Sequence, residues 1–285
     1  MIAFFFPAFI AALLASLSGG VMGSYVVVKR LANLCGSITH SVLGGMGLFL
    51  YLQRVQGISW CDPLLGAFFA AILSAGIVGW IHLCFRQRID AIIAAVWSTG
   101  MAIGVIFLSL TPGSTGDLSN FLLGNLLWIS LHDLIWLALL NGIILSIVYF
   151  CYRPFLLICF DEEQALLQKV PLQKMLLLLL TLIALTIVLL IQMIGTILTI
   201  ALLTLPATTA NLFTRRLKSL MIRSVLFSAF VSCSGIVLSY LLDWPPGATI
   251  SLVAAIVYCG ALLYSNLKVI HSSNNTISSS FRSVR

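Results

Sequence analysis

One histidine stands where an ionisable side chain is hardest to keep. His40 lies ten residues after Arg30 and fourteen before Arg54 in an otherwise uncharged stretch. At 1.5 Å per residue those intervals span about 15 and 21 Å along a helix, which puts the imidazole near the middle of a bilayer. Around it are Ser37, Thr39 and Ser41 and the small residues Gly36, Gly44 and Gly45. Ionisable groups inside a membrane are costly, so each one carries information. A neutral imidazole is a good ligand for zinc and related ions. It serves equally as a structural histidine hydrogen-bonded to a neighbouring helix, and residue type and spacing leave both roles open.

A second cluster is Phe160-Asp161-Glu162-Glu163-Gln164-Ala165, which holds three of the eight acidic residues. It falls in the longest internal cytoplasmic connection expected between spans. Acidic side chains at a helix start meet the positive end of the helix dipole, so a short surface helix is expected here. Such a helix either lies idle in solvent or docks a soluble partner. The remaining polar positions are interfacial: His82 near Arg86 on one side and His132–Asp133 on the other. Asp90 suits the start of a helix. Pro206, with Thr204, Thr208 and Thr209 around it, predicts a kink whose freed backbone groups find hydroxyl partners. No Walker A sequence, GxSxG elbow, HExxH or dinucleotide fingerprint is present, so ATP hydrolysis, if it powers this chain, belongs to another polypeptide.

The elements that must position these residues follow from composition. Of the 285 residues 61% are apolar and only 8% charged, and the mean hydropathy is +1.13. A soluble domain carries roughly a quarter charged residues, so this chain cannot cover a water-facing surface. The expected fold is all-α, a polytopic bundle of nine membrane helices, or eight if one run is merged or re-entrant. The runs are Ile2–Val28, Cys35–Leu52, Leu64–Phe85, Ala91–Leu110, Leu131–Tyr152, Leu172–Ile191, Ile194–Phe213, Met221–Leu241 and Ala248–Ser265. The division around Gln192–Gly195 is the weakest. Residues 1–265 form one transmembrane domain, and the Ser- and Asn-rich residues 266–285 are expected as a disordered cytoplasmic tail.

The net charge of +7 is a topology signal and not a nucleic-acid one. With the N-terminus outside and the C-terminus cytoplasmic, 14 of the 15 basic residues fall on the cytoplasmic side and only Arg54 outside. Asp62, Asp117, Asp133 and Asp243 fall outside. The first run has no basic residue before Lys29, so it is expected to stay as a span instead of being cleaved as a signal peptide. Seven cysteines without a CxxC pair, mostly in apolar runs, are expected to be free thiols. Gly19 and Gly23 form a GxxxG expected to serve helix packing.

Several segments, in order, resemble the permease subunits of zinc, manganese and iron ABC importers, the ABC-3 family. Gly23-Ser24-Tyr25-Val26-Val27-Val28-Lys29-Arg30 is similar to that family's first-span exit, and Gly36-Ser37-Ile38-Thr39-His40-Ser41-Val42-Leu43-Gly44-Gly45 to its second-span signature. The acidic segment followed by Val170-Pro171 resembles the part that docks on the ATPase. Ala201-Leu202-Leu203-Thr204-Leu205-Pro206-Ala207 and Asp243-Trp244-Pro245-Pro246-Gly247-Ala248-Thr249-Ile250 resemble later family blocks. The chain departs from the family twice. Gly36 stands where many members have an Asp one turn before the histidine, so His40 alone is carried over as a metal ligand. Lys169 stands where Gly commonly precedes the Val-Pro.

The resemblance implies an inner-membrane importer that is not itself an enzyme and holds no permanent cofactor. A divalent transition metal is its cargo: zinc, manganese or iron, with the missing carboxylate favouring zinc. The implied partners are a cytoplasmic ABC ATPase dimer docked at Asp161, Glu162 and Ala165, an extracytoplasmic metal-binding protein, a second copy or related permease, and membrane lipid. The competing readings are a siderophore or cobalamin ABC permease, whose large cargo needs a wide path, and an ion-coupled secondary transporter. The latter tends to place charged relays in its spans, whereas charges here sit at span boundaries. An intramembrane hydrolase lacks a nucleophile motif or a carboxylate partner for His40.

Overall fold

The computed structural model describes residues 2–84, 89–113, 116, 121, 122, 124, 126 and 129–282, with side chains for all of these except 2–5, 82–84, 89 and 268–282. The described residues form ten helices and no strand: α1 (Ile2–Val28), α2 (Ala32–Arg54), α3 (Pro63–Cys84), α4 (Ile89–Leu110), α5 (Leu131–Phe150), α6 (Tyr152–Phe160), α7 (Glu162–Leu167), α8 (Leu172–Asn211), α9 (Leu217–Leu242) and α10 (Pro246–Arg282). Eight are long and apolar enough to cross a membrane, and the two short ones, α6 and α7, are not.

The 40-residue α8 would be about 60 Å long if straight, twice the thickness of a bilayer core. It is not straight. Gly195 inside it has φ 79° and ψ 169°, a conformation that a side chain disfavours. Leu190 and Leu202, twelve residues apart, both lie within 4 Å of the position a Cβ on Gly19 would take. On a straight helix they would be separated by about 18 Å. The chain therefore bends sharply at Gly195 and α8 supplies two arms. Eight helices with one broken this way reconcile the eight-span and nine-span expectations, and the break falls at the end of the division read from the sequence. Gly124, itself at φ 74°, packs its backbone onto Ile194 and Gly195.

Pro206 lies within the second arm and leaves the Leu202 carbonyl without its helical donor. The threonine hydroxyls do not go there. Thr204, Thr208 and Thr209 donate to the carbonyls of Ile200, Thr204 and Leu205, each at 2.7–2.8 Å. A threonine hydroxyl reaches the carbonyl four residues before its own position, and none of the three stands at the spacing Leu202 requires.

Two groups of helices meet on α8. One is α1, α9 and α10; Gly19 and Gly23 of α1 face Leu202 and Leu203 of the second arm, as packing predicts. The other is α2 between α3 and α4, held by small residues on two faces. Gly45 meets the backbone of Gly66 on α3, while Gly44 meets Gly100 on α4 with only 2.7 Å from its Cβ position to the Gly100 oxygen. Lipid offers no hydrophobic drive between helices, so such close backbone approach is what holds them. The outward faces of α4, α5, α9 and α10 expose large apolar side chains, among them Ile106, Trp136, Leu226 and Ile256.

Beyond Leu267, where the apolar part of α10 ends, the backbone of the expected tail is helical as far as Arg282. A helix nucleated by the preceding span propagates at one hydrogen bond per residue. Asp117 and the side chain of His82 lie outside the described residues. The described cysteines, Cys35, Cys61, Cys151, Cys159, Cys233 and Cys259, are free.

Candidate metal pathway and docking helix

His40 sits on α2 within the seam that α2 makes with α4, between Ser37 and Ser41. That seam is built from hydroxyls. Ser37 Oγ donates to the Ile93 carbonyl at 3.0 Å, and Ser41 Oγ is shared between the Ser37 carbonyl of its own helix at 2.8 Å and the Val96 carbonyl of α4 at 3.1 Å. The two bonds to α4, with Gly100 against Ser41, fix the register of the helices. The register carries Trp97 onto His40: the rings stack with centroids 4.6 Å apart and planes 9° from parallel. His40 is partly buried and makes no hydrogen bond among the described residues.

A metal ligand needs an in-plane lone pair, and a stack covers the face of an imidazole while leaving its edge open. His40 thus keeps what coordination requires. It is a single donor: among the described residues no three His, Cys, Asp or Glu side chains cluster closely enough to hold an ion. Between α2, α3 and the first arm of α8 lies a cavity of about 280 Å³, lined by Val42, Met46, Asp62, Phe121 and Gln192 among others. Asp62 there is engaged with the start of α3, accepting from the Leu64 N–H at 2.8 Å.

The acidic segment is the predicted short helix, α7. Asp161 caps it, its Oδ1 accepting from the Gln164 N–H at 2.8 Å. Glu162 turns back to the bundle and pairs with Lys29 at the end of α1, Nζ to Oε1 at 2.6 Å. Burial pushes the nearby Cys159 thiol up to about 11, with Lys29 pulling it down and Glu162 adding to the rise. Ala165 is fully buried and anchors α7 inward. The exposed surface of α7 extends beyond the residues read in sequence: Glu163, Leu166 and Leu167, with Phe160 beside them, are exposed as well. Of the three side chains named from the sequence, Ala165 is buried, while Asp161 and Glu162 are exposed, one capping α7 and the other pairing with Lys29.

Lys169 occupies the position where glycine was expected, at φ 58°. It closes α7: the Lys169 N–H donates to Leu166 O at 3.0 Å and the Val170 N–H to Ala165 O at 3.0 Å. This pair of bonds is the Schellman termination, whose left-handed residue is usually glycine. Arg30 ends α1 in the same way at φ 57°, with the Arg30 and Leu31 N–H groups on Val27 and Val26 carbonyls.

His132 and Asp133 serve local structure. Trp136 Nε1–H donates to His132 Nε2 at 3.0 Å, and Asp133 forms a capping box with Ser130 at the start of α5. Trp97 and Lys29 were missed as site residues. An aromatic inside an apolar run gives no polarity signal, and a lysine at a span end is expected on topology alone.

A family model described as the ABC 3 transport family matches residues 1–265. The chain belongs to that family. Among its relatives, the "Probable metal transport system membrane protein" of Chlamydia pneumoniae is 44% identical over 256 residues, covering 90% of this chain and 87% of that one. The "Manganese transport system membrane protein MntC" of Halalkalibacterium halodurans is 30% identical over 256 residues, covering 90% and 85%. Among solved structures, PsaBC from Streptococcus pneumoniae in complex with Fab superposes with a TM-score of 0.79 at 28% identity, covering 92% of this chain and 95% of that chain. This ABC 3 chain is thus a multi-pass membrane protein with its relatives' fold over nearly their whole length.

Proposed function

We propose that this ABC 3 chain is the permease of an ATP-driven importer for a divalent transition metal. The match of the family over residues 1–265 carries the reading. The names of relatives for metal and manganese transport support the cargo. Lys29, Lys169 and Lys174 lie at the α7 end of the bundle, which is cytoplasmic by the excess of basic residues, with the N-terminus outside and the C-terminus inside.

Two copies of the chain, or this chain and a related permease, stand side by side above an ATPase dimer, and an outer binding protein delivers the ion. The ion passes His40, which offers one in-plane nitrogen. With no carboxylate beside it, each chain holds the ion weakly, and weak holding permits release. On the cytoplasmic side the ATPase seats on the exposed face of α7. Its movement reaches the bundle through buried Ala165 and the Lys29–Glu162 pair, which joins α7 to α1. The glycine seams hold α2, α3 and α4 together closely enough to move as one unit.

The test is uptake of radioactive zinc, manganese and iron in competition, by cells with and without the chain. Metal uptake that depends on the chain and on a cellular ATPase meets the reading. Uptake indifferent to the chain for all three metals contradicts it.

A further inference from the structure

We infer that Trp97 is the positioning residue of the His40 site, its indole lying over both His40 and Gly36. This rests on His40 as a metal ligand. Three observations converge. The stack is nearly parallel, 9° between planes, so the indole sets the plane in which the imidazole lone pairs lie without competing for them. The indole is itself placed by its neighbours, since the residue before Trp97 accepts from the residue after His40: Ser41 Oγ to the Val96 carbonyl. Trp97 also covers Gly36, where a Cβ would lie 3.4 Å from Cζ3 and 3.8 Å from Cη2.

A residue at 36 larger than alanine must push the ring aside or turn away from it. A side-chain donor one turn before His40 and the stacked Trp97 therefore compete for the same space in this chain. Trp97 takes the place of that donor as the group that orients the imidazole. Orientation matters because a lone pair ligates only along its own direction, and an aliphatic neighbour leaves the imidazole free to turn about its side-chain torsions.

The experiment treats membranes of cells carrying the full chain with diethyl pyrocarbonate and measures modification of His40 by peptide mass spectrometry, alongside metal uptake. In Trp97→Ala uptake falls by about twofold to tenfold, the range set by loss of one aromatic pair, while modification of His40 at the edge nitrogens that the stack leaves open continues and shows the imidazole still in place. Trp97→Phe keeps a stacked ring and keeps both near the unmodified chain, which separates positioning from a general loss of fold. Unchanged uptake in Trp97→Ala overturns the inference, as does an equal loss of uptake in Trp97→Phe. His40→Leu separates the two claims. Normal uptake in that variant removes the ligand role of His40, whereas lost uptake there together with an indifferent Trp97→Ala removes only the role of Trp97.

Discussion

Lys29 and Glu162 join the end of the first helix to the start of the short acidic helix, 2.6 Å apart across 133 positions of sequence. Lys29 is largely covered, at 14% side-chain exposure, while Glu162 is half open at 52%. A pair this exposed contributes no more than about 1 kcal/mol to stability. Its consequence lies in coupling. Lys29→Ala should leave the protein folded, with a small change in thermal midpoint, and lower uptake relative to ATP hydrolysis. The exchange Lys29→Glu with Glu162→Lys should restore part of the loss. Full uptake in Lys29→Ala would show that motion reaches the bundle by another route.

The left-handed Lys169 gives a prediction of opposite sign. A side chain in that conformation costs on the order of 1 kcal/mol that glycine does not bear. Lys169→Gly should therefore raise the thermal midpoint in detergent and leave uptake intact. Lys169→Val, β-branched at the same φ, should lower it. A lower midpoint in Lys169→Gly would mean that its chain makes contacts worth more than the backbone gain.

Orientation is open to direct measurement. With the native cysteines replaced, a cysteine at Pro112 should react with an impermeant thiol reagent from outside the cell. One at Arg216 should react only after the membrane is opened. Reaction at Pro112 solely from the cytoplasmic side would invert the topology.

How much of this was legible in sequence varies from residue to residue, for physical reasons. The helices were legible because apolar runs of span length have few other fates. The break in α8 was legible at Gly195, since Gln192 and Gly195 interrupt an otherwise unbroken apolar stretch. The cap made by Asp161 was readable from acidic residues at a helix start. What could not be read was how helices face one another. Trp97 meets His40 only because Ser37 and Ser41 find backbone carbonyls on α4, and neither helix encodes that register by itself. Ala165, similarly, gives no sign in sequence that it points inward.

The same register sets a condition on repairing the site. Gly36→Asp places a carboxylate one turn before His40, on its face of the helix. With Trp97 present the carboxylate displaces the ring or turns away from it, so this variant alone should lower uptake of all metals. Gly36→Asp with Trp97→Ala should recover transport with preference shifted toward manganese, since carboxylate oxygen suits that harder ion. Adding His40→Ala should erase the shift. A manganese preference already present in Gly36→Asp alone, without loss of uptake, would show that Trp97 yields freely.

The role of His40 itself is decided most directly by His40→Leu, measured as uptake of zinc, manganese and iron at matched membrane levels. Leucine suits an apolar surrounding and cannot ligate, and His40 makes no hydrogen bond among the described residues whose loss would disturb the fold. The account predicts a folded protein with uptake of all three metals reduced to background. Uptake at the unmodified rate for every metal would contradict it.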